Sequence, residues 1–381
     1  MMLHKIIKKL KVLLPRGIKT KIKNITGFGM TSHKVSTFAR VKVDPIKVNI
    51  AIYTGGGLGD FIVYLALIDQ MSKMCDCRIS VFTLSYENAS KILGCRSNVD
   101  IYYPFRPMSK KLFDVYFEID HYIHVREFAT FRLKRKSKKM YGAVQKIILY
   151  NKENIPVTDT VNSQRLLLIT RAKLLKLNRW TQLSGGGVFD MSSMRSDIPV
   201  IEDSSILTDY ALDGQPYITI HFGTDPDAGG NRQTKLWPYE NFRDFVSLFK
   251  LEYPNIKVVQ LSANNETEIP GIDTCIRNAD LEDVKFVLKY ALTHVSSEGG
   301  IAHIATQVGI RCAVLFGPTP VHYYGYPTNV NVVSSVCKEC MEISFDWVTK
   351  CLRGFKQAEC MGGISADTAL EAAKKIIIEG M

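Results

Sequence analysis

No stretch of this sequence comes near the ~20 consecutive apolar residues that cross a bilayer, so a membrane-spanning chain is not expected. The first 24 residues hold no acid. Lys5, Lys8, Lys9, Lys11, Arg16, Lys19, Lys21 and Lys23 supply +8 of the formal net charge of +12, leaving the rest of the chain only mildly basic. There is no exact internal repeat and no low-complexity tract, which leaves ordinary globular domains. No recognisable nucleic-acid module accompanies the basic charge, so no nucleic-acid partner is expected. The 381 residues, 46% of them hydrophobic, suffice for two cores.

The acid-free start has a pattern. Leu3, Ile6, Ile7, Leu10, Leu13 and Leu14 recur at helical spacing between lysines until Pro15. This describes a basic amphipathic arm over residues 1–24 that can lie on an anionic membrane surface. Its apolar part is too short and too interrupted for a signal peptide. The expectation is a cytoplasmic protein, peripheral on the inner face of the cytoplasmic membrane. A second basic run, RLKRKSKK from Arg132 to Lys139, reads as a solvated helix face, with acidic substrates or lipid head groups as the alternative.

The rest alternates strands with helices in two series. KVNIAIYT, RISVFTL, VDIYY and FDVYFEID read as strands, with helices from about Phe61 to Met74 and Tyr86 to Leu93. The stretch from about Arg126 to Arg179 reads as mostly helical, and Ser184 to Ser205 as a linker. Alternation then restarts with PYITIHF and ends in a helix from about Ala366 to Glu379. Two such series predict an α/β chain with two Rossmann-like parallel-sheet domains facing a cleft, at 45–205 and 206–381.

Each series carries a glycine turn. In YTGGGLGDF, Gly55 and Gly57 fill the first two positions of a G-x-G-x-x-G dinucleotide fingerprint, but Asp60 stands where the third glycine belongs. A carboxylate suits the helix dipole and repels a pyrophosphate seated there. This disfavours a dehydrogenase. The loop Gly55, Gly56, Gly57 and Gly59 instead presents an acid to the cleft, where Asp60 can take a proton from a hydroxyl; the bland reading is a helix cap. The second series suits phosphate better. HFGTDPDAGGNRQTKLWP offers Thr224, Arg232, Thr234 and Lys235 after a strand, and SSEGGIAHIA places Glu298, Gly299, Gly300 and His303 at a helix start. Together they predict a nucleotide-diphosphate site, the bland reading of His303 being a hydrogen-bonded core histidine.

Taken together, GGGLGD, TKLWPYENF, SSEGGIAHIA and AVLFGPT resemble glycosyltransferase family 9, the lipopolysaccharide heptosyltransferase family, over roughly residues 47–379. The resemblance implies a GT-B fold and an inverting, metal-independent sugar transfer from a nucleotide sugar, with ADP-heptose the favoured type of donor. It places the catalytic base on Asp60, a donor-phosphate ligand on Lys235, an upstream hydroxyl on Thr224 and the glycine–histidine turn on Gly300 and His303. Members usually show D-S/T-G where this chain has Glu298-Gly299-Gly300, which alters contacts to the donor. The implied acceptor is a glycan or lipid-linked acceptor such as lipopolysaccharide core. The alternatives are another GT-B sugar-nucleotide enzyme, such as an epimerase or a protein glycosyltransferase, and a catalytically silent scaffold at the membrane surface.

Of nine cysteines, Cys337, Cys340, Cys351 and Cys360 are spaced C-x2-C-x10-C-x8-C. The spacing is compatible with a structural zinc or iron site and equally with free thiols; a reducing compartment disfavours disulfides. Some members of the resembled family use a similar cysteine finger for iron. No cofactor is expected in the transfer itself. Cys75, Cys77, Cys95, Cys275 and Cys312 read as small buried apolar residues.

Overall fold

The computed structural model describes residues 41–103, 112–155, 161–223, 233–263 and 266–380, with 161–164 and 233 described by their backbone alone. The N-terminal arm lies outside the described residues.

A five-stranded sheet forms first. Its strands are β1 (Val48–Thr54), β2 (Cys77–Phe82), β3 (Val99–Tyr102), β4 (Val115–Ile119) and β5 (Ile123–Phe128), in the order β3-β2-β1-β4-β5. β1 pairs in parallel with both β2 and β4, while β5 returns antiparallel to β4 with a bulge at Tyr116/Phe117. Val48, Ile50, Ala51 and Ile52 are fully buried, as a central strand covered on both faces requires. Helix α1 (Leu58–Met74) covers one face and buries Phe61 to Ile68 without a break. Helices α2 (Tyr86–Leu93), α3 (Thr130–Lys136) and α4 (Lys138–Asn154) complete this half, while α5 (Val161–Leu174) packs Ile169 and Ala172 against Tyr323, Met341 and Trp347 of the second. The last three residues of β5, Arg126 to Phe128, fall inside the stretch expected to be mostly helical.

The segment from Ser184 to Ser205 is not a free linker. Phe189, Met191, Met194 and Ile198 are buried in the same core as β1 and α1. Burial of four large apolar side chains holds this irregular backbone in place despite its polar composition.

A six-stranded parallel sheet follows: β6 (Tyr217–His221), β7 (Lys257–Ser262), β8 (Thr274–Arg277), β9 (His294–Ser297), β10 (Cys312–Phe316) and β11 (Val330–Val333). Its order is β11-β10-β9-β6-β7-β8. Counted from β6, this is the 3-2-1-4-5-6 winding of dinucleotide-binding sheets, with the switch point between β6 and β9. Helices α6 (Tyr239–Glu252), α7 (Leu281–Lys289), α8 (Gly300–Gln307) and α9 (Ala366–Gly380) pack on it. Trp237, Phe242, Phe245 and Phe249 form an aromatic ladder in its core.

The two sheets belong to one compact unit, Val43–Met381, and meet where α1 and α8 begin. A Cβ at Gly59 would lie 2.6 Å from His303 Cδ2, and one at Gly300 would lie 3.1 Å from Leu58 Cβ. Glycine is required at Gly59 by this close approach of two helix starts. Among the described residues, no helix is long and apolar enough to cross a membrane.

Candidate functional site

The first turn leaves β1 where the strand order reverses between β1 and β4, the place where open α/β sheets form a crevice. Asp60 is the third residue of α1, and its Oδ2 accepts from the Gly57 N–H at 3.1 Å. This half of a capping box fixes the carboxylate against the turn. Gly56 makes room for it: its φ is +146°, and a Cβ there would lie 2.5 Å from Asp60 Oδ2. The other oxygen, Oδ1, accepts from Arg179 Nη2 at 3.1 Å. Asp60 nevertheless keeps 36% of its side chain open to solvent. Each carboxylate oxygen has a second lone pair, so the two bonds orient the acid without consuming its capacity to accept a proton.

Arg179 is the residue that the sequence did not reveal. It is 3% exposed. Nη2 also donates to Tyr64 Oη at 3.0 Å, the guanidinium lies over the Tyr64 ring at 5.4 Å, and Tyr64 Oη donates to Gly55 O at 3.3 Å. The Arg179 N–H donates to Tyr323 O at 2.9 Å. Arg179 Nε and Nη1 are buried with no partner among the described residues, so Nη2 makes all the side-chain hydrogen bonds of this cation. Beside it, Asp120 at the end of β4 pairs with Arg165 at 3.1 Å, and His121 shares a hydrogen bond with Tyr323 Oη at 3.0 Å. Burial lowers the His121 imidazole to about 4, so it is neutral at pH 7.

The second turn leaves β9 at the switch point of its own sheet. Trp237 fixes the K-x-W-P segment there: its backbone N–H donates to Ser297 Oγ at 3.2 Å and its indole to Ile364 O at 2.8 Å. Two residues earlier, Lys235 Nζ therefore reaches Glu298 Oε2, at 2.5 Å. His303 Nε2 lies 3.2 Å from Glu298 Oε1, and its Nδ1 lies 2.9 Å from Tyr326 Oη. Lys235, Glu298 and His303 are all at most 9% exposed. Burial pushes the Glu298 carboxyl up, but Lys235 and His303 outweigh it and hold the group well below the usual carboxylate range. Tyr324 lies within electrostatic reach of both Asp60 and Glu298.

The structure thus brings together Gly55 to Asp60 with Lys235, Glu298, Gly299, Gly300 and His303. It does not bring Thr234 to them as a donor: its buried hydroxyl donates to Trp347 O at 2.8 Å, tying the loop's end to the cysteine-bearing segment. Thr224 and Arg232 lie outside the described residues.

The four clustered cysteines lie near one another but do not form a coordination site. Among the described residues, no three histidine, cysteine or acidic side chains are placed to hold a metal. Cys360 is turned into the second core beside Met361, where a Cβ at Gly317 would lie 3.0 Å from its sulfur. Burial, then the neighbouring sulfurs of Cys340, Cys337 and Cys351, pushes its thiol up to about 12. These four thiols lack a coordination geometry among the described residues, and as placed they do not fit a metal. Of the other five, Cys77 and Cys312 are buried as expected, while Cys95 is exposed.

No protein-family model matches the chain, and no curated protein matches it by sequence. Solved structures do. The chain is similar to the glycosyl transferase family 9 protein of Veillonella parvula DSM 2008, with a TM-score of 0.51 and 14% identity over 89% of this chain and 99% of that one. It is similar to TibC of enterotoxigenic E. coli H10407, described as a bacterial iron-containing dodecameric glycosyltransferase, with a TM-score of 0.53 and 13% identity over 88% and 80%. TibC in complex with ADP-D-beta-D-heptose gives a TM-score of 0.55 and 12% identity over 90% and 78%. The chain therefore has the two-sheet GT-B fold of these glycosyltransferases.

Proposed function

We propose that this protein is an inverting glycosyltransferase that moves a sugar from a nucleotide diphosphate sugar to an acceptor hydroxyl. The observation that carries the reading is the meeting of the two turns. A half-exposed, oriented carboxylate on the first sheet lies across a glycine–histidine contact from a buried lysine cluster on the second. The fold shared with family 9 structures, and the GGGLGD, TKLWP and SSEGG segments, support the same assignment.

In this mechanism Asp60 accepts the proton of the acceptor hydroxyl as its oxygen attacks the anomeric carbon. The new C–O bond forms as the bond from that carbon to the diphosphate breaks, and attack opposite the leaving group inverts the centre. Lys235 and the amides at Gly299 and Gly300 stabilise the departing diphosphate, as preorganised donors aimed at developing charge do. Thr224 and Arg232 are assigned to the same donor. Glu298 holds Lys235 in place before the donor arrives, and His303 orients Glu298. Arg179 holds Asp60. The donor is an ADP-heptose type of nucleotide sugar, and the acceptor a cell-surface glycan or lipid-linked saccharide, reached from the inner face of the membrane.

The test is a thermal-shift screen against ADP-, GDP- and UDP-sugars. A bound donor raises the melting temperature by mass action, by about 2.7 kcal/mol of stabilisation at a hundredfold excess over Kd. A protein whose melting is indifferent to all three classes is not a nucleotide-sugar transferase.

A further inference from the structure

We infer that the exposed surface of α3 and α4 docks on an anionic lipid bilayer, with Phe131 entering the head-group region. This goes beyond sugar transfer and does not depend on it. The basic run from Arg132 to Lys139 separates into two sets. Arg132 and Lys136 serve the fold, pairing with Asp114, which is fully buried. Lys134, Arg135, Lys138 and Lys139 are exposed and have no carboxylate partner among the described residues; Lys134 only overhangs the Tyr141 ring, at 5.6 Å.

A solvated helix face does not need a large apolar side chain among its cations. Here Phe131, at the start of the same helix, is 79% exposed, and Leu149 on α4 is 56% exposed. Lys138, Leu149 and Lys152 recur at helical spacing on the exposed side of α4, whose one acid is Glu153. Cations around an exposed aromatic are what an anionic interface selects, charge supplying approach and the ring supplying insertion. The chain leading into β1 is stapled to this surface, Lys136 Nζ donating to Lys47 O at 2.7 Å. The sequence upstream of that segment carries the acid-free basic arm.

The experiment uses the full chain and vesicles of phosphatidylcholine with or without phosphatidylglycerol. The native tryptophans, Trp180, Trp237 and Trp347, are buried, so F131W reports on this one place. Its emission should shift to the blue, and brominated lipid should quench it, with phosphatidylglycerol vesicles alone. Replacing Lys134, Arg135, Lys138 and Lys139 by Gln in the F131W background should weaken that response at least about tenfold, and high salt should do the same to the unmodified patch. Nucleotide-sugar binding should be unchanged in both variants. An F131W emission indifferent to anionic vesicles overturns the inference, even where the protein still sediments with them through its arm. An equal blue shift with soluble dextran sulfate overturns it too, and reassigns the patch to an acidic polymer.

Discussion

The two glycine turns are built alike. Each follows a parallel strand at the switch point of its sheet, each opens a helix, and each carries one carboxylate. Their surroundings set them apart. Asp60 is oriented by one backbone N–H and one guanidinium and stays 36% open. Glu298 is 7% open, clamped by Lys235 on one oxygen and His303 on the other. An acid with spare lone pairs and access can exchange a proton. An acid buried in an ion pair and held far below its ordinary range cannot do so near pH 7. On the proposed mechanism, the chemistry falls to the first turn and the charge-holding to the second.

The largest effect expected from breaking this division is on turnover. Asp60→Asn keeps size and hydrogen-bonding shape and removes the proton acceptor. Transfer should fall about 10²–10⁴-fold, with donor affinity unchanged in the thermal-shift assay. Near-normal turnover would return Asp60 to the role of a helix cap.

The next effect separates stability from binding at the second turn. Lys235→Met leaves the buried Glu298 with only the His303 imidazole as partner, which should cost about 3–5 kcal/mol in denaturant unfolding. Adding Glu298→Gln removes the stranded charge and should recover most of that loss. Donor affinity should stay low in both, because the diphosphate has lost its cation. Restored donor affinity in the double variant would show that Lys235 serves the fold alone.

The smallest effect is a pH window. Burial lowers His121 and His221 to about 4 and His294 to about 3, against about 6.5 in an unfolded chain. Between these values the unfolded state binds more protons, so stability rises with pH there. The melting temperature should fall as pH drops from 6.5 towards 4. His294→Gln should flatten part of that slope; an unchanged slope would deny that this imidazole is held neutral.

How much of this was legible in the sequence depends on range. The two turns were readable because each lies within ten residues of a strong strand and a strong helix. Lys235 was readable through its neighbour Trp237, whose motif fixes it. Strand β5 was not, because IHVREF is a half-polar edge strand that runs into a helical stretch. The segment around Phe189 and Met194 passed for a linker because its apolar residues are scattered among serines and glycines. Arg179 carried no local signal, its carboxylate partner being 119 residues away. The bond of the Thr234 hydroxyl to Trp347 O was hidden for the same reason, its partner lying 113 residues on. The cysteine spacing was real, but spacing does not fix the side-chain direction of Cys360, which the second core claims.

The contact between Gly59 and His303 has a mechanical meaning. With no room for even one methyl group between the two helix starts, the sheets touch there at a hard point. Asp60 follows Gly59 directly, and Glu298 is bonded to His303. The contact therefore works as a gauge block, setting the spacing between the first carboxylate and the second.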